Sequence, residues 1–172
     1  MEKYIIRKAT PNDHYLLQQI GRQTFFETFA ADNSEKDMQK YLEESFATEK
    51  VQAELADPNT EFYLAQQDDQ IIGYLKLNLG AAQTELQNTK ALEIERIYVL
   101  KDFHGKNVGQ LLYDQAIAVA KQVHSPYIWL GVWEQNPRAI RFYEKNGFVA
   151  FGTHIFHLGD DEQTDIMMKL VL

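Results

Sequence analysis

The chain has 172 residues, 45% of them apolar and none of them cysteine, and 25 acidic residues outnumber 17 basic ones for a formal net charge of −8. At roughly 150 residues per domain, this length predicts one domain over 1–172 with enough apolar material for a core, and it excludes disordered, collagen-like and disulfide-stapled chains. The missing cysteines exclude thiolate nucleophiles and cysteine-based metal sites, while the acidic balance disfavours nucleic acid and attracts cations.

Met1 to Ala9 lacks the apolar centre of a signal peptide, although Lys3–Ala9 alternates as a first strand. No run approaches the ~20 apolar residues of a membrane span, so a cytoplasmic protein without a membrane partner is expected. Thr10-Pro11-Asn12-Asp13 caps a helix from Asp13 to Phe29, in which Gly21 costs about 1 kcal/mol against Ala and so marks close packing or a ligand. Ser34 to Asp37 resembles a capping box and opens a helix to Phe46, and a third helix, Thr48–Ala56, stops at Asp57-Pro58.

Strands follow at Glu61–Gln67 and Gln70–Leu79 around Asp68-Asp69, then a polar loop from Gly80 to Lys90 and a strand from Ala91 to Leu100. The clearest helix runs from Gly105 to His124, with an apolar stripe from Val108 to Val123. Tyr127–Trp133 reads as a buried strand, and Asn136-Pro137 starts a helix that ends before Gly147. Phe148–Leu158 and Thr164–Leu172 are two final strands joined by Gly159 to Glu162. This succession of strands and helices predicts an α/β fold: a mixed sheet of about seven strands with helices on both faces.

Two segments carry chemistry. The turn His104-Gly105-Lys106-Asn107-Val108-Gly109-Gln110 joins a strand ending Ile97-Tyr98-Val99 to a helix N-terminus. It aims several backbone N–H groups at one point, which suits a pyrophosphate, or else simply lets a helix start in tight packing. It lacks the Gly-Lys-Ser/Thr of a P-loop and the Gly-x-Gly-x-x-Gly dinucleotide fingerprint. In Trp129–Phe148, Arg138, Arg141 and Lys145 are either solvated charges or phosphate contacts, and Tyr143 is a packed tyrosine unless the site uses it. The other histidines, His14, His124, His154 and His157, show no i, i+4 pair, so no metal is expected; opposite parity sends His154 and His157 to different faces.

Together, FHGKNVGQLLYDQA and NPRAIRFYEKNGF resemble the Gcn5-related N-acetyltransferase (GNAT) family in motif, spacing and order of elements. His104 stands where the family has Gln or Arg, Asn107 where it has the first motif glycine, and Gly109 matches the last. Asn tolerates the left-handed backbone a glycine would take. Within the family, TFFETF (24–29), WLGVWE (129–134) and Gln163-Thr164-Asp165 resemble the PaiA-type spermidine/spermine acetyltransferases.

The resemblance implies acetyl transfer from acetyl-CoA to a primary amine such as spermidine or spermine, in a ternary complex, because no cysteine can carry an acetyl intermediate. The alternatives are a protein N-terminal or lysine acetyltransferase and a non-catalytic CoA-binding or polyamine-sensing regulator. It further implies that residues 104–110, Arg138 and Lys145 hold the cofactor, that Asn136 and the main chain of Ile97, Tyr98 and Val99 hold its pantetheine arm, and that Tyr143 protonates the thiolate. Glu93 and Glu95 are candidate bases, set with Ile97 and Val99 on one strand face by simple alternation. Glu95, four residues before Val99, matches polyamine acetyltransferases and is the preferred base for such a substrate; Glu93, six before, matches histone-acetylating members and comes second. Phe25, Phe26, Glu27 and Phe29 suit an enclosed cation. Family members often form homodimers, in which the final strands could pair.

Overall fold

The computed structural model describes residues 3–85 and 88–172. Strand β1 (Ile5–Lys8) leads into a 3-10 turn where Asp13 accepts the Thr10 N–H at 2.8 Å and binds Arg7 through both oxygens at 3.0 Å. Helix α1 (His14–Phe29) follows, then α2 (Glu35–Ser45), capped by Ser34, and α3 (Thr48–Ala56). Gly21 of α1 serves close packing, because a Cβ there would overlap the Phe46 ring.

The remaining strands are β2 (Thr60–Gln67), β3 (Gln70–Leu79), β4 (Leu92–Val99), β5 (Tyr127–Trp133), β6 (Val149–Leu158) and β7 (Asp161–Val171). They form one seven-stranded sheet in the order β1-β2-β3-β4-β5-β7-β6, antiparallel throughout except for the β4–β5 pair. Helices α4 (Val108–Gln122) and α5 (Pro137–Lys145) complete the order. The expected loop between β3 and β4 is there, opening with a 3-10 turn at Gly80–Ala82; its Leu86 and Gln87 lie outside the described residues.

Two boundaries differ from the sequence expectation. Helix α4 begins at Val108 rather than Gly105, because Gly105 (φ 79°) and Asn107 (φ 68°) take left-handed conformations that no α-helix contains. Strand β7 begins at Asp161 rather than Thr164, since Gly159 (φ 61°) and Asp160 make a two-residue hairpin that pairs Leu158 with Asp161.

A bulge in β4 overturns the expected alternation. Leu77 pairs with Ile94 and Lys76 with Arg96, leaving Glu95 as the extra residue. Glu93 therefore shares a face with Arg96 and Tyr98, opposite Asn78, Lys76 and Tyr74, whereas Ile97 and Val99 lie on the other face. The first face packs on α1 and its neighbours: Arg96 sits 4.7 Å from the Phe46 ring centroid, and Phe46 abuts α1. The second face packs on α4, whose Leu112 approaches Gly73 of β3.

The parallel β4–β5 ladder stops at Ile94–Leu130, although β4 continues to Val99 and β5 to Trp133. The two strands splay apart beyond it. Leu100 N–H bonds Ile72 O of β3, so alternation along the antiparallel ladder turns the main-chain groups of Ile97 and Val99 toward the gap.

Candidate active site

Two cavities meet at this splay. One, of about 480 Å³, lies on the α4–α5 side and is bordered by Ile97, Tyr98, Val99, the turn 103–105, residues 107–110, Asn136, Arg138 and Lys145. The other, of about 410 Å³, lies on the α1–α2 side. Tyr98, Ile97, Asn136 and Tyr143 border both. A ligand entering from one face can thus reach a ligand entering from the other.

The first cavity is a backbone cradle. A Cβ at Gly105 or Gly109 would meet nothing within 4 Å, and Asn107 holds the left-handed position expected of it. The N–H groups of Val108, Gly109 and Gln110, in the first turn of α4, have no carbonyl partner within the helix, whereas Leu111 N–H is taken by Asn107 O at 3.2 Å. Together with the dipole of a 15-residue helix they suit a pyrophosphate. Val108's side chain is core, so only its main chain serves the groove. Gln110 reaches along the helix to Asp114 at 2.9 Å.

Side chains supply fewer contacts than the motif suggests. His104 spends its ring internally: Nε2 lies 2.8 Å from Val99 O and Nδ1 accepts from Arg138 Nη1 at 2.5 Å. A guanidinium only donates, which fixes the proton on Nε2 and leaves Arg138 tethered over the groove. Lys106 lies over the Phe103 ring, 5.4 Å from its centroid, and does not border the groove. Asn136 caps α5 by accepting the Ala139 N–H at 3.3 Å, which leaves its amide N–H₂ for a ligand. Tyr143 is buried with its ring 5.5 Å from those of Phe142 and Phe148, and burial pushes its phenol well above the ordinary value.

The second cavity is walled by aromatic rings. Phe25 and Phe29 of α1 stand 4.4 Å apart, Tyr41 of α2 stacks on Phe25 at 4.2 Å, and Trp133 and Phe156 close on Phe29 at 5.2 and 6.2 Å. Phe26 and Glu27 stay outside: Phe26 is 55% exposed and Glu27 accepts the Lys101 N–H at 3.2 Å. The α-helical spacing places only every third or fourth residue inward, so the TFFETF segment delivers two of its three phenylalanines.

The two glutamates differ in what holds them. Glu93 is 3% exposed and accepts from Asn78 Nδ2 at 3.0 Å and from Thr84 N and Oγ1 at 2.8 and 2.5 Å. Burial lifts its carboxyl above the usual range, and those hydrogen bonds only partly oppose the rise. Glu95, the bulge residue, lies 2.5 Å from Lys76 Nζ, which also meets Glu54 at 2.9 Å. Burial alone would lift the Glu95 carboxyl, but Lys76 and Arg96 outweigh it and hold it below the usual range. Its charge is already neutralised.

Sequence reasoning gave no role to two further residues of this cavity. His154 of β6 and Asp165 of β7 pair across the sheet, with Nε2 3.5 Å from Oδ2, and both cover Gly131 of β5. Only the Gly in WLGVW, which leaves no side chain above the strand, hinted that something lies there. His157 is exposed on the opposite parity, as expected. Among the described residues, no group of three or more His, Asp or Glu is placed to hold a metal ion.

The sheet is splayed at its one parallel pair, with a helix N-terminus on one side and an acidic chamber on the other, so that two ligands can meet through it. Residues 22–148 match the Acetyltransferase (GNAT) family, and the chain belongs to it. It is 42% identical over 153 residues to an uncharacterized N-acetyltransferase in the pepI 3′ region of Lactobacillus delbrueckii subsp. lactis, covering 89% of this chain and 88% of that one. It is 27% identical to a spermidine N(1)-acetyltransferase of Thermoplasma acidophilum, over 83% of this chain and 86% of that one. In fold it superposes on the PaiA N-acetyltransferase of Thermoplasma acidophilum, a structure in complex with coenzyme A, with a TM-score of 0.82, 24% identity and 99% coverage of both chains. The protein is an N-acetyltransferase that uses acetyl-CoA. No helix among the described residues is long and apolar enough to cross a membrane.

Proposed function

We propose that the acceptor is a small polyamine of the spermidine or spermine kind, acetylated directly in a ternary complex. The observation that carries this reading is the aromatic chamber with two carboxylates, Glu93 and Asp165, that no lysine or arginine among the described residues pairs with, since rings and carboxylates together bind alkylammonium groups. The likeness to a spermidine N(1)-acetyltransferase supports it.

Acetyl-CoA brings the acetyl group as a thioester, and the residues of the groove fit it: glycines without overlying atoms, free N–H groups at α4, and Arg138 and Lys145 for phosphate charge. The main chain of Ile97 and Val99 orients the pantetheine arm, and an N–H in the gap is worth a few kcal/mol where an oxyanion develops. Val99 O, taken by His104, is unavailable for this. Glu93 draws the acceptor ammonium toward the splay. Glu95 orders Lys76 and Arg96 rather than meeting the substrate. Tyr143 gives its Oη proton to the departing thiolate sulfur, since a phenol is protonated at neutral pH and borders both cavities here.

The test is thiol release from acetyl-CoA across spermidine, spermine, aminoglycosides, amino acids and lysine peptides. The highest kcat/KM is expected with spermidine or spermine. Faster turnover of peptides would replace polyamines by protein acceptors, and CoA binding without turnover of any amine would make the chain a sensor.

A further inference from the structure

An alkylamine arrives as its ammonium and must lose a proton before it can attack, so the acceptor side needs a proton acceptor. Neither glutamate of β4 is well placed to be that group: Glu95 is consumed by Lys76, and Glu93 already accepts three hydrogen bonds. The remaining carboxylate and imidazole of the chamber are Asp165 and His154.

His154 is gripped from two sides. Nε2 faces Asp165 Oδ2 of β7 at 3.5 Å, and Nδ1 faces Glu85 Oε1 of the β3–β4 loop at 3.8 Å. Nδ1 is sealed from solvent and has no hydrogen-bond partner. A neutral imidazole has one N–H, so between two carboxylates one nitrogen always turns a lone pair toward an anion; a second proton gives each nitrogen a donor for its carboxylate. The ring fills the space above Gly131, where a Cβ would stand 2.9 Å from Cε1. The two residues before Glu85 are held by the sheet: Trp129 Nε1 donates to Gln83 at 2.7 Å, and Thr84 binds Glu93. Other charged or titratable groups bordering the chamber are Glu93, Glu95, Arg96 and Tyr98 of β4, Tyr41 of α2, Lys50 of α3 and Tyr143 of α5.

We propose that Asp165 and His154 act as one proton-accepting pair for the acetyl transfer. Asp165 meets the acceptor ammonium from the chamber wall. One ammonium N–H bond breaks, its electron pair stays on the amine nitrogen for attack, and the proton passes by way of the Asp165 carboxylate to His154, whose new charge Asp165 and Glu85 balance. Burial lifts the Asp165 carboxyl above its usual range against the opposing pull of His154, which suits a carboxylate that handles a proton rather than one that only binds charge.

This inference rests on amine acetylation, not on the polyamine assignment, and its test uses any two amines that the enzyme accepts, one with an ammonium pKa near 10 and one nearer 8. His154→Gln and Asp165→Asn are compared with the unaltered enzyme from pH 6.5 to 9.5, with melting temperature and CoA affinity as checks on folding. The expected result is a fall in kcat of about 100-fold or more for the high-pKa amine at neutral pH. The deficit shrinks at least tenfold for the low-pKa amine and as the pH rises, and it sits mainly in kcat rather than KM. An equal loss for both amines at every pH, or no loss, overturns the proposal. If Asp165→Asn does not fold, His154→Gln decides alone, because a structural role for the ring would lower stability without distinguishing the amines.

Discussion

The two sides of the sheet solve opposite problems. On the α4–α5 side, one turn of seven residues presents backbone N–H groups around glycines, with Arg138 and Lys145 at the edge. On the α1–α2 side, side chains from eight separate elements and a loop enclose buried carboxylates. A polyanionic cofactor shared by many enzymes can be held by main chain, whose donors need no particular side chain. An acceptor amine must be chosen, and choosing requires side chains brought together by the whole fold. The difference teaches where substitutions should alter cofactor affinity and where they should alter turnover or substrate choice.

Tyr143, which borders both cavities, is the position where that separation should fail most visibly. Tyr143→Phe is expected to lower kcat by about 100- to 10,000-fold while leaving the CoA dissociation constant within a fewfold, measured by steady-state kinetics and calorimetry. Unchanged turnover would remove its acid role.

The glutamates sharpen the contrast within the chamber itself. Glu95→Gln leaves Lys76 and Arg96 short of an anion, and breaking such a buried pair should cost about 3 kcal/mol, seen as a fall in Tm of roughly 10 °C. Glu93→Gln should instead raise KM for the amine roughly tenfold with a smaller change in Tm. If the two variants exchange these signatures, Glu95 and not Glu93 meets the substrate.

On the cofactor side, Asn107→Val should weaken CoA binding about tenfold, because a β-branched residue at φ 68° costs about 1–2 kcal/mol, while Asn107→Gly should bind as well as the unaltered chain. Neither should alter the order of preference among amines. The smallest effect belongs to neither side. Arg7 holds the Asp13 carboxyl below the usual range, so the pair stabilises the fold above the unfolded carboxyl's pKa and loses that contribution as the pH falls through the lowered folded one. Asp13→Asn should lower stability at pH 7 by about 1 kcal/mol and flatten the acid limb of Tm against pH, with turnover unaffected.

The cofactor side was legible in the sequence for a physical reason. A left-handed asparagine, two glycines and a helix start are local requirements, written in neighbouring positions from His104 to Gln110. Most helices and strands were legible for the same reason, since the apolar stripe of α4 and the alternation of the strands repeat within short windows. The chamber was not legible. His154 and Asp165 lie eleven positions apart and meet only because β6 and β7 form a hairpin, and Glu85 reaches them from a loop near the middle of the chain. The neutralisation of Glu95 depends on Lys76 and Glu54, residues of β3 and α3 with no local mark of that role. His104 carried the motif position in sequence, yet its partners, Val99 O and Arg138, show that it braces the groove from within.

The bulge at Glu95 works as a phase shift in β4. Upstream of it, the strand is read in one frame, with Glu93 turned to the acceptor; downstream it is read in the other, with Ile97 and Val99 turned to the cofactor helices. Giving Glu95 a partner, by inserting one residue between Lys76 and Leu77 of β3, would restore unbroken alternation, yet it would swing two apolar side chains into the acidic chamber and turn Tyr98 toward α4. One unpaired residue thus lets a single strand serve two compartments with incompatible chemistry, and it makes the one-residue mismatch between β4 and β3 a tighter constraint on function than the identity of many residues along either strand.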